Sequence, residues 1–323
     1  GAPWAPLFHA FPPRSWCVIL EAMLTLFTTP KPFKGHDGLI QMNALRSWAS
    51  LVPKVEILVL GEEPGAREAC EATGARHGGE VSRSPFGTPL ASDIFEKAQV
   101  LARTDLVCYV NADILLFGDF MEAVRIASRL PGPFLLAGQR WDLDIRESLL
   151  FGETEVETLK SRARTEGVLH PPCAIDYFVF PRGFLDRLPP FSIGRMRWDN
   201  WLIRESIRRG GVLVDATPSV VAIHQNHGYA HVPDMKVDEA GRILAKGEEN
   251  RLNIELAGNV DFRLSDSTHV LRNGAVEPVF RLRRKNVHIH FPGGSPARRL
   301  AGGLVTLMDR LLPGSGPGFD GVN

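Results

Sequence analysis

Between residues 23 and 117, short segments that are apolar throughout alternate with segments whose apolar residues recur at helical spacing. The predicted strands cover residues 23–28, 55–60 and 106–110, and the predicted helices cover residues 39–51, 66–73 and 93–102. Such strands are typical of a parallel sheet that helices cover on both faces, because both sides of each strand are then buried. The alternation therefore predicts an α/β fold with a mostly parallel central sheet flanked by helices.

The second half of the chain is less regular. Its predicted strands cover residues 133–138, 175–180, 211–215 and 219–223, and a helix is predicted over 199–208. Gly74 follows the predicted helix 66–73, in the position where a glycine commonly ends a helix. Ligands of open α/β sheets bind outside the carboxyl ends of the strands. We therefore expect the polar segments that follow residues 28, 60 and 110 to lie around one cleft.

Composition and charge exclude several classes of protein. The chain has 323 residues with 37 basic and 37 acidic side chains, and this zero net charge argues against a nucleic-acid-binding protein. The longest apolar run, residues 16–27, contains Glu21 and is shorter than a membrane span. No charged segment like that of a signal peptide precedes it, so we expect a cytoplasmic protein. The cysteines form no paired motif and are predicted to be buried reduced thiols: Cys17, Cys70, Cys108 and Cys173.

The strongest chemical signal is Asn111-Ala112-Asp113, which interrupts an apolar segment directly after the predicted strand 106–110. A carboxylate at this break lies at the carboxyl edge of the sheet. Residues two apart in an extended segment face the same side, so Asn111 and Asp113 offer two oxygen ligands together. Hard cations such as Mg²⁺ and Mn²⁺ prefer oxygen ligands. The alternative is an aspartate that caps a turn.

Asp199 begins the predicted helix 199–208, and Trp198 and Trp201 flank the Asp199-Asn200 pair. Aspartate is favoured at the N-cap of a helix. A carboxylate that faces a cleft can also remove a proton from a hydroxyl acceptor. The two interpretations are compatible, and the sequence leaves both open.

Three histidines, His224, His227 and His231, follow the predicted strand 219–223. A lone histidine in such a place is commonly structural. Three within eight residues also suit contacts to a metal or a phosphate, because imidazole is a common metal ligand. Both interpretations stay open at this stage.

Polar residues at the ends of the first two strands suit the recognition of a nucleotide. An acidic group there can bind a ribose hydroxyl or a base amide, and basic groups nearby can contact a diphosphate. The alternative for each charged residue is a solvated surface position. The residues are Thr28, Thr29 and Pro30 after the first strand, Glu62 after the second, and the basic residues Arg83 and Lys97.

Taken together, these elements resemble the GT-A glycosyltransferase fold over roughly residues 23–231. Members of this fold have a DxD motif after a central strand, an acidic helix start and a later histidine. Asn111-Ala112-Asp113, Trp198-Asp199-Asn200 and His224 occupy the three places in order. Two departures are visible, because Asn111 replaces the first aspartate and the usual Glu-Asp pair of the helix start reads Asp-Asn.

The resemblance implies transfer of a sugar from a nucleotide-diphosphate donor to a carbohydrate or other hydroxyl acceptor. It implies a divalent metal, Mn²⁺ or Mg²⁺, held by Asp113 and His224, with His227 as the nearest competitor. Asp199 is then the general base of an inverting enzyme or an acceptor-orienting group of a retaining one. Thr28, Glu62 and Lys97 are implied as nucleotide contacts. We place the acceptor near four residues, of which the tryptophans can stack on a sugar or pack in the core: Trp141, Asp176, Trp198 and Trp201.

The predicted organisation is an N-terminal arm at 1–15, a catalytic domain at 16–235 and a C-terminal extension at 236–323. The nucleotide-binding half of the domain covers about 23–130 and the acceptor half about 131–235. Apolar positions recur between 300 and 312, beside two arginines, so this segment packs on the domain or contacts a membrane surface or a partner. The final ten residues are expected to be mobile.

Three other functions compete with glycosyl transfer. A nucleotidyltransferase would carry an early glycine-rich phosphate loop, which the segment TTPKPFKG after the first strand lacks. A metal-dependent hydrolase would use His224, His227 and His231 with Asp113 and Asp176. A non-catalytic sugar-binding module would explain why Asn111 stands in the DxD motif.

Overall fold

The computed structural model describes residues 23–227, 235–237, 243–245, 247–258 and 262–279. The predicted N-terminal arm, Cys17, His231 and the amphipathic segment at 300–312 lie outside these residues. Within them the helices are α1 (Gly35–Ala49), α2 (Ala66–Thr73), α3 (Ala91–Leu101), α4 (Gly118–Ala127), α5 (Glu153–Thr165), α6 (Trp198–Arg208) and α7 (Glu248–Ala257). The strands are β1 (Thr25–Thr28), β2 (Glu56–Val59), β3 (Arg76–His77), β4 (Leu106–Val110), β5 (Ile114–Leu115), β6 (Phe134–Ala137), β7 (Arg140–Leu143), β8 (Val168–Leu169), β9 (Tyr177–Pro181), β10 (Val212–Asp215), β11 (Ala222–Gln225), β12 (Met235–Val237), β13 (Ile243–Ala245), β14 (His269–Arg272) and β15 (Ala275–Pro278).

The main sheet has nine strands in the order β15-β14-β10-β6-β9-β4-β1-β2-β3. β9 lies antiparallel between β4 and β6, and β15 is antiparallel to β14 at the edge. The other seven strands run in one direction. The predicted fold class, an α/β protein with a mostly parallel central sheet, is confirmed. β14 and β15 belong to this sheet, although they lie in the segment 236–323 that was predicted to be a C-terminal extension.

Helices cover both faces of the main sheet, as the continuous apolar strands predict. Alternate side chains of β4 enter different clusters: Leu106, Cys108 and Val110 pack with α1 and α4, whereas Val107 and Tyr109 pack with α3 and α6. A strand buried on both sides in this way has no polar face, which is why β4 reads as an unbroken apolar segment.

A second sheet of four strands, in the order β5-β11-β7-β8, lies beyond the carboxyl end of β4. Its first strand follows Asn111-Ala112-Asp113 directly. The indole N–H of Trp48 on α1 donates to the carbonyl of Ile114 at 2.9 Å, and this bond fixes β5 against the main domain. The small sheet brings segments from distant parts of the chain to the edge where the cleft was expected.

Several predicted elements match the observed ones, and others were missed. The predictions of α2 and β4 agree with the observed bounds, and Gly74 ends α2 in the left-handed conformation with φ 73°. The helices α4, α5 and α7 were not predicted. Only two residues of α5, Leu159 and Ala163, are buried, so its apolar stripe was too narrow to reveal a helix.

Two local predictions are corrected. The N-cap of α6 is Arg197 in the left-handed region, with φ 78°, and Asp199 lies within the first turn rather than at the cap. Cys70 and Cys108 are buried as expected, but Cys173 is exposed because it lies in an irregular segment after β8 rather than in an apolar element.

Candidate functional site

Asp113, His224 and His227 form the group of potential metal ligands in the part of the chain that the structure describes. One ligand atom from each residue lies within 4.8 Å of the others. An oxygen of Asp113 is 2.9 Å from Nε2 of His227 and 3.7 Å from Nε2 of His224. In the sequence Asp113 lies more than a hundred positions before the two histidines, and the fold brings all three residues together.

The register of the small sheet explains the convergence. β11 pairs with β5 so that His224 lies opposite Ile114, the residue that follows Asp113. On its other side β11 pairs with β7, which places His224 opposite Asp142. Gln225 is buried and donates to the carbonyl oxygens of Ile40 and Asp113, at 2.8 and 3.1 Å, so β11 is tied both to α1 and to the backbone of the cluster.

The carboxylate of Asp113 is held in its charged form. Burial opposes the charge, but the hydrogen bond from His227 and the positive charges of His224, His227 and Arg140 outweigh burial and lower the pKa of Asp113 well below its usual range. Its Oδ1 atom is buried and receives no hydrogen bond from the described residues. A buried carboxylate oxygen without a donor is costly unless a ligand satisfies it.

This donor set fits a divalent cation. One carboxylate and two imidazoles offer one oxygen and two nitrogen ligands, and positions remain for substrate oxygens or water. Two nitrogen donors favour Mn²⁺ over Mg²⁺, because Mg²⁺ strongly prefers oxygen ligands. The orphaned Oδ1 of Asp113 is the observation on which this fit depends.

Three residues of the site were missed by the sequence analysis: Arg140, Asp142 and His170. Nδ1 of His224 lies 3.0 Å from Oδ1 of Asp142, and Nδ1 of His170 lies 2.8 Å from the other oxygen of Asp142. Arg140 also donates to Asp142, from Nε at 2.8 Å. Charged residues at alternate positions, 140 and 142, were the available signal, since residues two apart on a strand face the same side.

Asp199 lies in the first turn of α6, near Asp176. The residue is half-buried, and its carboxylate accepts hydrogen bonds from backbone N–H groups, among them those of Asn200 and Ile175. Burial raises the pKa of Asp199 to about 7, and the negative charge of Asp176 contributes to this rise, while hydrogen bonds from the backbone N–H groups of Asn200, Ile175 and Asp199 itself partly oppose it. A carboxyl group with such a pKa can accept a proton near neutral pH.

The raised pKa predicts how stability depends on pH. Because the pKa of Asp199 in the folded protein lies above that of the unfolded chain, the folded state holds an extra proton between about pH 4 and pH 7. The free energy of unfolding should therefore fall as pH rises through this window. Asp199→Asn should remove that dependence and leave the variant more stable than the parent at pH 8, by up to about 4 kcal/mol. Denaturant unfolding at pH 5 and pH 8 measures the difference, and equal slopes with pH in both proteins would contradict it.

The predicted nucleotide contacts are distributed around the carboxyl ends of β1 and β2. The hydroxyl oxygens of Thr28 and Thr29 are buried and have no hydrogen-bond partner among the described residues, which leaves them available to a ligand. Pro30, which is buried, follows them. Glu62 is instead paired with Arg67 at 2.5 Å on the surface.

The two basic residues predicted near the diphosphate are already paired. Arg83 forms an ion pair with Glu63. Lys97 lies 3.0 Å from Asp93 and donates to the carbonyl of Glu80 at 2.6 Å. Neither contacts the cluster of Asp113 and the histidines in the described structure, so their role at a diphosphate stays a prediction.

The side chains of Asn111 and Asp176 are hydrogen-bonded to each other and to neighbouring protein groups. The amide of Asn111 accepts a hydrogen bond from the hydroxyl of Tyr109 at 2.9 Å and donates to Asp176 at 2.5 Å. Asp176 is 5% exposed and also accepts a hydrogen bond from Arg140. Ala112 lies between Asn111 and Asp113 in the turn. The prediction that Asp176 contacts an acceptor is corrected, because protein donors occupy its carboxylate and cover it.

The tryptophans divide between core and site. Trp198 and Trp201 are 5% and 7% exposed, and the ring of Trp198 packs edge-on against those of Tyr109 and Phe178. Neither ring offers a face to a sugar in this structure, where both follow the alternative of packing in the core. They are buried because α6 packs its apolar side onto the main sheet. Trp141, on β7, is half-buried and stays a candidate.

No described helix combines the length and apolar character that crossing a membrane requires. No protein-family model and no curated protein matches the chain. Solved structures do show similarity. One is glucosyl-3-phosphoglycerate synthase from Mycobacterium tuberculosis in complex with Mn²⁺, UDP and phosphoglyceric acid, with 16% identity over 74% of this chain and 80% of that chain and a TM-score of 0.45.

Two further structures give comparable values. The same synthase with Mn²⁺, UDP and glucosyl-3-phosphoglycerate is 18% identical over 66% of this chain and 75% of that one, with a TM-score of 0.42. Residues 1–349 of TarS from S. aureus are 10% identical over 63% of this chain and 60% of that chain, with a TM-score of 0.42. Similarity at this level does not show which reaction the chain catalyses, so the function proposed below depends on the chain's own site residues.

Proposed function

We propose that this protein is a metal-dependent glycosyltransferase that moves a sugar from a nucleotide-diphosphate donor to a hydroxyl acceptor. The observation that carries the proposal is the convergence of Asp113, His224 and His227 at the carboxyl edge of the main sheet, with ligand atoms within 4.8 Å of one another. This edge is where open α/β sheets bind their ligands.

Asp113, His224 and His227 are the residues that would hold the cation. A divalent cation supplies positive charge that stabilises the nucleoside diphosphate as it leaves. The unpartnered hydroxyls of Thr28 and Thr29, at the end of β1, support a donor that lies over the same edge. Within this chain, the task of the cluster is to hold its oxygen and nitrogen ligands in place before the substrate arrives.

Asp199 is the candidate base. In an inverting reaction the carboxylate accepts the proton of the acceptor hydroxyl as that oxygen attacks the sugar, and in a retaining reaction it orients the acceptor. A pKa of about 7 is close to the pH at which a base combines a useful charged fraction with useful basicity. Asp199 is near Asp176, which contacts Asn111, two residues before Asp113, so base and cluster share one region of the fold.

A thermal-shift panel tests the donor site. We expect at least one of UDP, GDP, ADP, CDP and TDP to raise the melting temperature in the presence of Mn²⁺ and to lose most of this effect in EDTA. At a concentration of 100 times Kd, the bound nucleotide stabilises the folded state by about 2.7 kcal/mol. The matching monophosphates serve as controls. If no diphosphate raises the melting temperature with Mn²⁺, the donor-site proposal is wrong.

The donor set also favours a second candidate, a metal-dependent hydrolase. Two imidazoles and one carboxylate with open positions suit a zinc ion that activates water. A hydrolase predicts zinc that co-purifies in stoichiometric amount and a melting temperature that does not respond to nucleotides. Metal analysis of the purified protein, performed before the thermal-shift panel, separates the two functions.

A further inference from the structure

A buried arginine connects the two halves of the candidate site. Arg140 is 7% exposed, and its guanidinium donates from Nε to Asp142 at 2.8 Å and from Nη1 to Asp176, which is also buried. Burying two charged groups, Arg140 and Asp176, is costly unless geometry and hydrogen bonding satisfy them, and Asp142 is only half-buried. Arginine suits this place because its planar fork can bind two carboxylates in fixed directions, whereas the single ammonium of a lysine cannot.

One side of this bridge reaches the metal ligands. Asp142 lies opposite His224 in the paired strands β7 and β11, and its Oδ1 is 3.0 Å from Nδ1 of His224. Nε2 of the same ring then faces Asp113, at 3.7 Å. A carboxylate on the far nitrogen of a ligating histidine fixes the orientation of the ring. His170 holds the second oxygen of Asp142 at 2.8 Å.

The other side of the bridge reaches the candidate base. Asp176 accepts a side-chain hydrogen bond from Asn111 at 2.5 Å, and its carbonyl accepts the backbone N–H of Asn111 at 2.9 Å. The preceding residue, Ile175, directs its N–H toward Asp199. Hydrogen bonds therefore hold Asp176 beside the turn that carries Asp113, and its neighbour Ile175 contacts Asp199.

We propose that Arg140, given the function proposed above, is a positioning residue that holds Asp142 behind the metal ligand and Asp176 beside the base, so that one guanidinium sets both halves of the site. Among the described residues, Arg140 donates no hydrogen bond to a metal ligand or to the base. Its charge acts on Asp113 at a distance, whereas its positioning of each half passes through one carboxylate, Asp142 or Asp176. Arg140→Lys keeps the charge and therefore separates positioning from electrostatics.

The charged groups around Asp199 predict the direction in which each substitution should shift the pKa of Asp199. Among the described residues, the titratable groups that act on Asp199 include Asp176 and the Cys173 thiol, and Cys173 in turn interacts with Arg263 and Arg140. Arg140 neutralises Asp176. Removing the arginine should therefore raise the pKa of Asp199 further, whereas removing the charge of Asp176 should lower it.

Arg140→Met, Arg140→Lys, Asp142→Asn and Asp176→Asn test the inference without any transfer assay. Binding of Mn²⁺ alone is measured by titration calorimetry. The titration of Asp199 is measured from the pH dependence of the melting temperature, with and without Asp199→Asn. Arg76→Lys is the matched control, because Arg76 also pairs with a carboxylate, donating from Nε and Nη2 to one oxygen of Glu56 at 3.2 and 2.6 Å, but lies on the edge strand β3 of the main sheet rather than on the small sheet.

We expect Asp142→Asn to weaken Mn²⁺ binding by about 10–100-fold and leave the titration of Asp199 in place. Asp176→Asn should lower the pKa of Asp199 and spare Mn²⁺ binding. Arg140→Met should weaken Mn²⁺ binding and raise the pKa of Asp199. Arg140→Lys keeps the charge but cannot bridge the two carboxylates, so it should change the Mn²⁺ affinity, the pKa of Asp199 or both. Arg76→Lys should change neither the Mn²⁺ affinity nor the pKa of Asp199.

Several outcomes overturn the inference. It is wrong if folded Arg140 variants change neither quantity, or if Arg140→Met and Asp176→Asn shift the pKa of Asp199 in the same direction. It is equally wrong if neither Arg140 variant folds, because the arginine then serves the fold rather than the site. A protein that shows both couplings but transfers no sugar from any nucleotide donor would contradict the proposed function and leave the positioning role intact.

Discussion

Asp113→Ala is expected to abolish Mn²⁺-dependent nucleotide binding. Asp113 is the one carboxylate among the three described ligands, and its Oδ1 has no protein donor among the described residues. Removing it leaves two imidazoles and no anionic ligand, so the loss in metal affinity should exceed the 10–100-fold that loss of a supporting residue typically causes. Calorimetric titration with Mn²⁺, followed by the diphosphate identified in the thermal-shift panel, measures both steps.

Asp105→Ala is the matched control. Asp105 precedes β4 at the amino end of the strand that Asp113 follows, and its side chain is fully exposed. Its substitution should leave both affinities unchanged. If Asp113→Ala folds and binds Mn²⁺ and nucleotide like the parent protein, the metal site lies elsewhere and the proposed mechanism is wrong.

Asp199→Asn should lower the turnover number by about 10²–10⁴-fold and leave Mn²⁺ and nucleotide binding unchanged. The amide keeps the shape of the side chain but cannot accept a proton. In the parent enzyme the base is charged above its pKa of about 7, so the rate should rise between pH 6 and pH 8 and then level off. Initial rates across this range measure the effect once a donor and an acceptor are identified.

Asp186→Asn is the control for this substitution, since Asp186 is half-exposed and pairs with Arg209 away from the cluster. Loss of nucleotide binding together with transfer in Asp199→Asn would indicate that Asp199 supports the first turn of α6 rather than the reaction. Unchanged transfer would remove Asp199 from the mechanism altogether.

The sequence predicted the main sheet because burial on both faces leaves a local trace. Strands such as β4 are apolar at every position, and this property is visible without knowledge of their neighbours. The positions of Asp113 and His224 after or within such strands were visible for the same reason. Polar residues that follow an apolar strand are expected at the edge of a parallel sheet.

Sequence patterns were less informative at the start of α6, where buried residues do not recur at a regular spacing. For Trp198 and Trp201 an acceptor surface and the core both stayed open, because tryptophan suits either and sequence spacing does not distinguish the two. For Asp199 the N-cap of α6 was one of two compatible predictions, but Arg197, with its left-handed backbone, is the N-cap. The local pattern of these residues is compatible with either arrangement.

From the sequence alone came the α/β class, the strand that carries Asn111-Ala112-Asp113 and the choice of Asp113, His224 and Asp199 as chemistry-bearing residues. Only the tertiary structure decided that His224 and its predicted competitor His227 both lie beside Asp113, and that Arg140, Asp142 and His170 lie behind the cluster. The reason is the small sheet β5-β11-β7-β8, whose pairing joins residues about 80 to 110 positions apart. Register between distant strands is set by packing across the whole domain, and no short stretch of sequence records it.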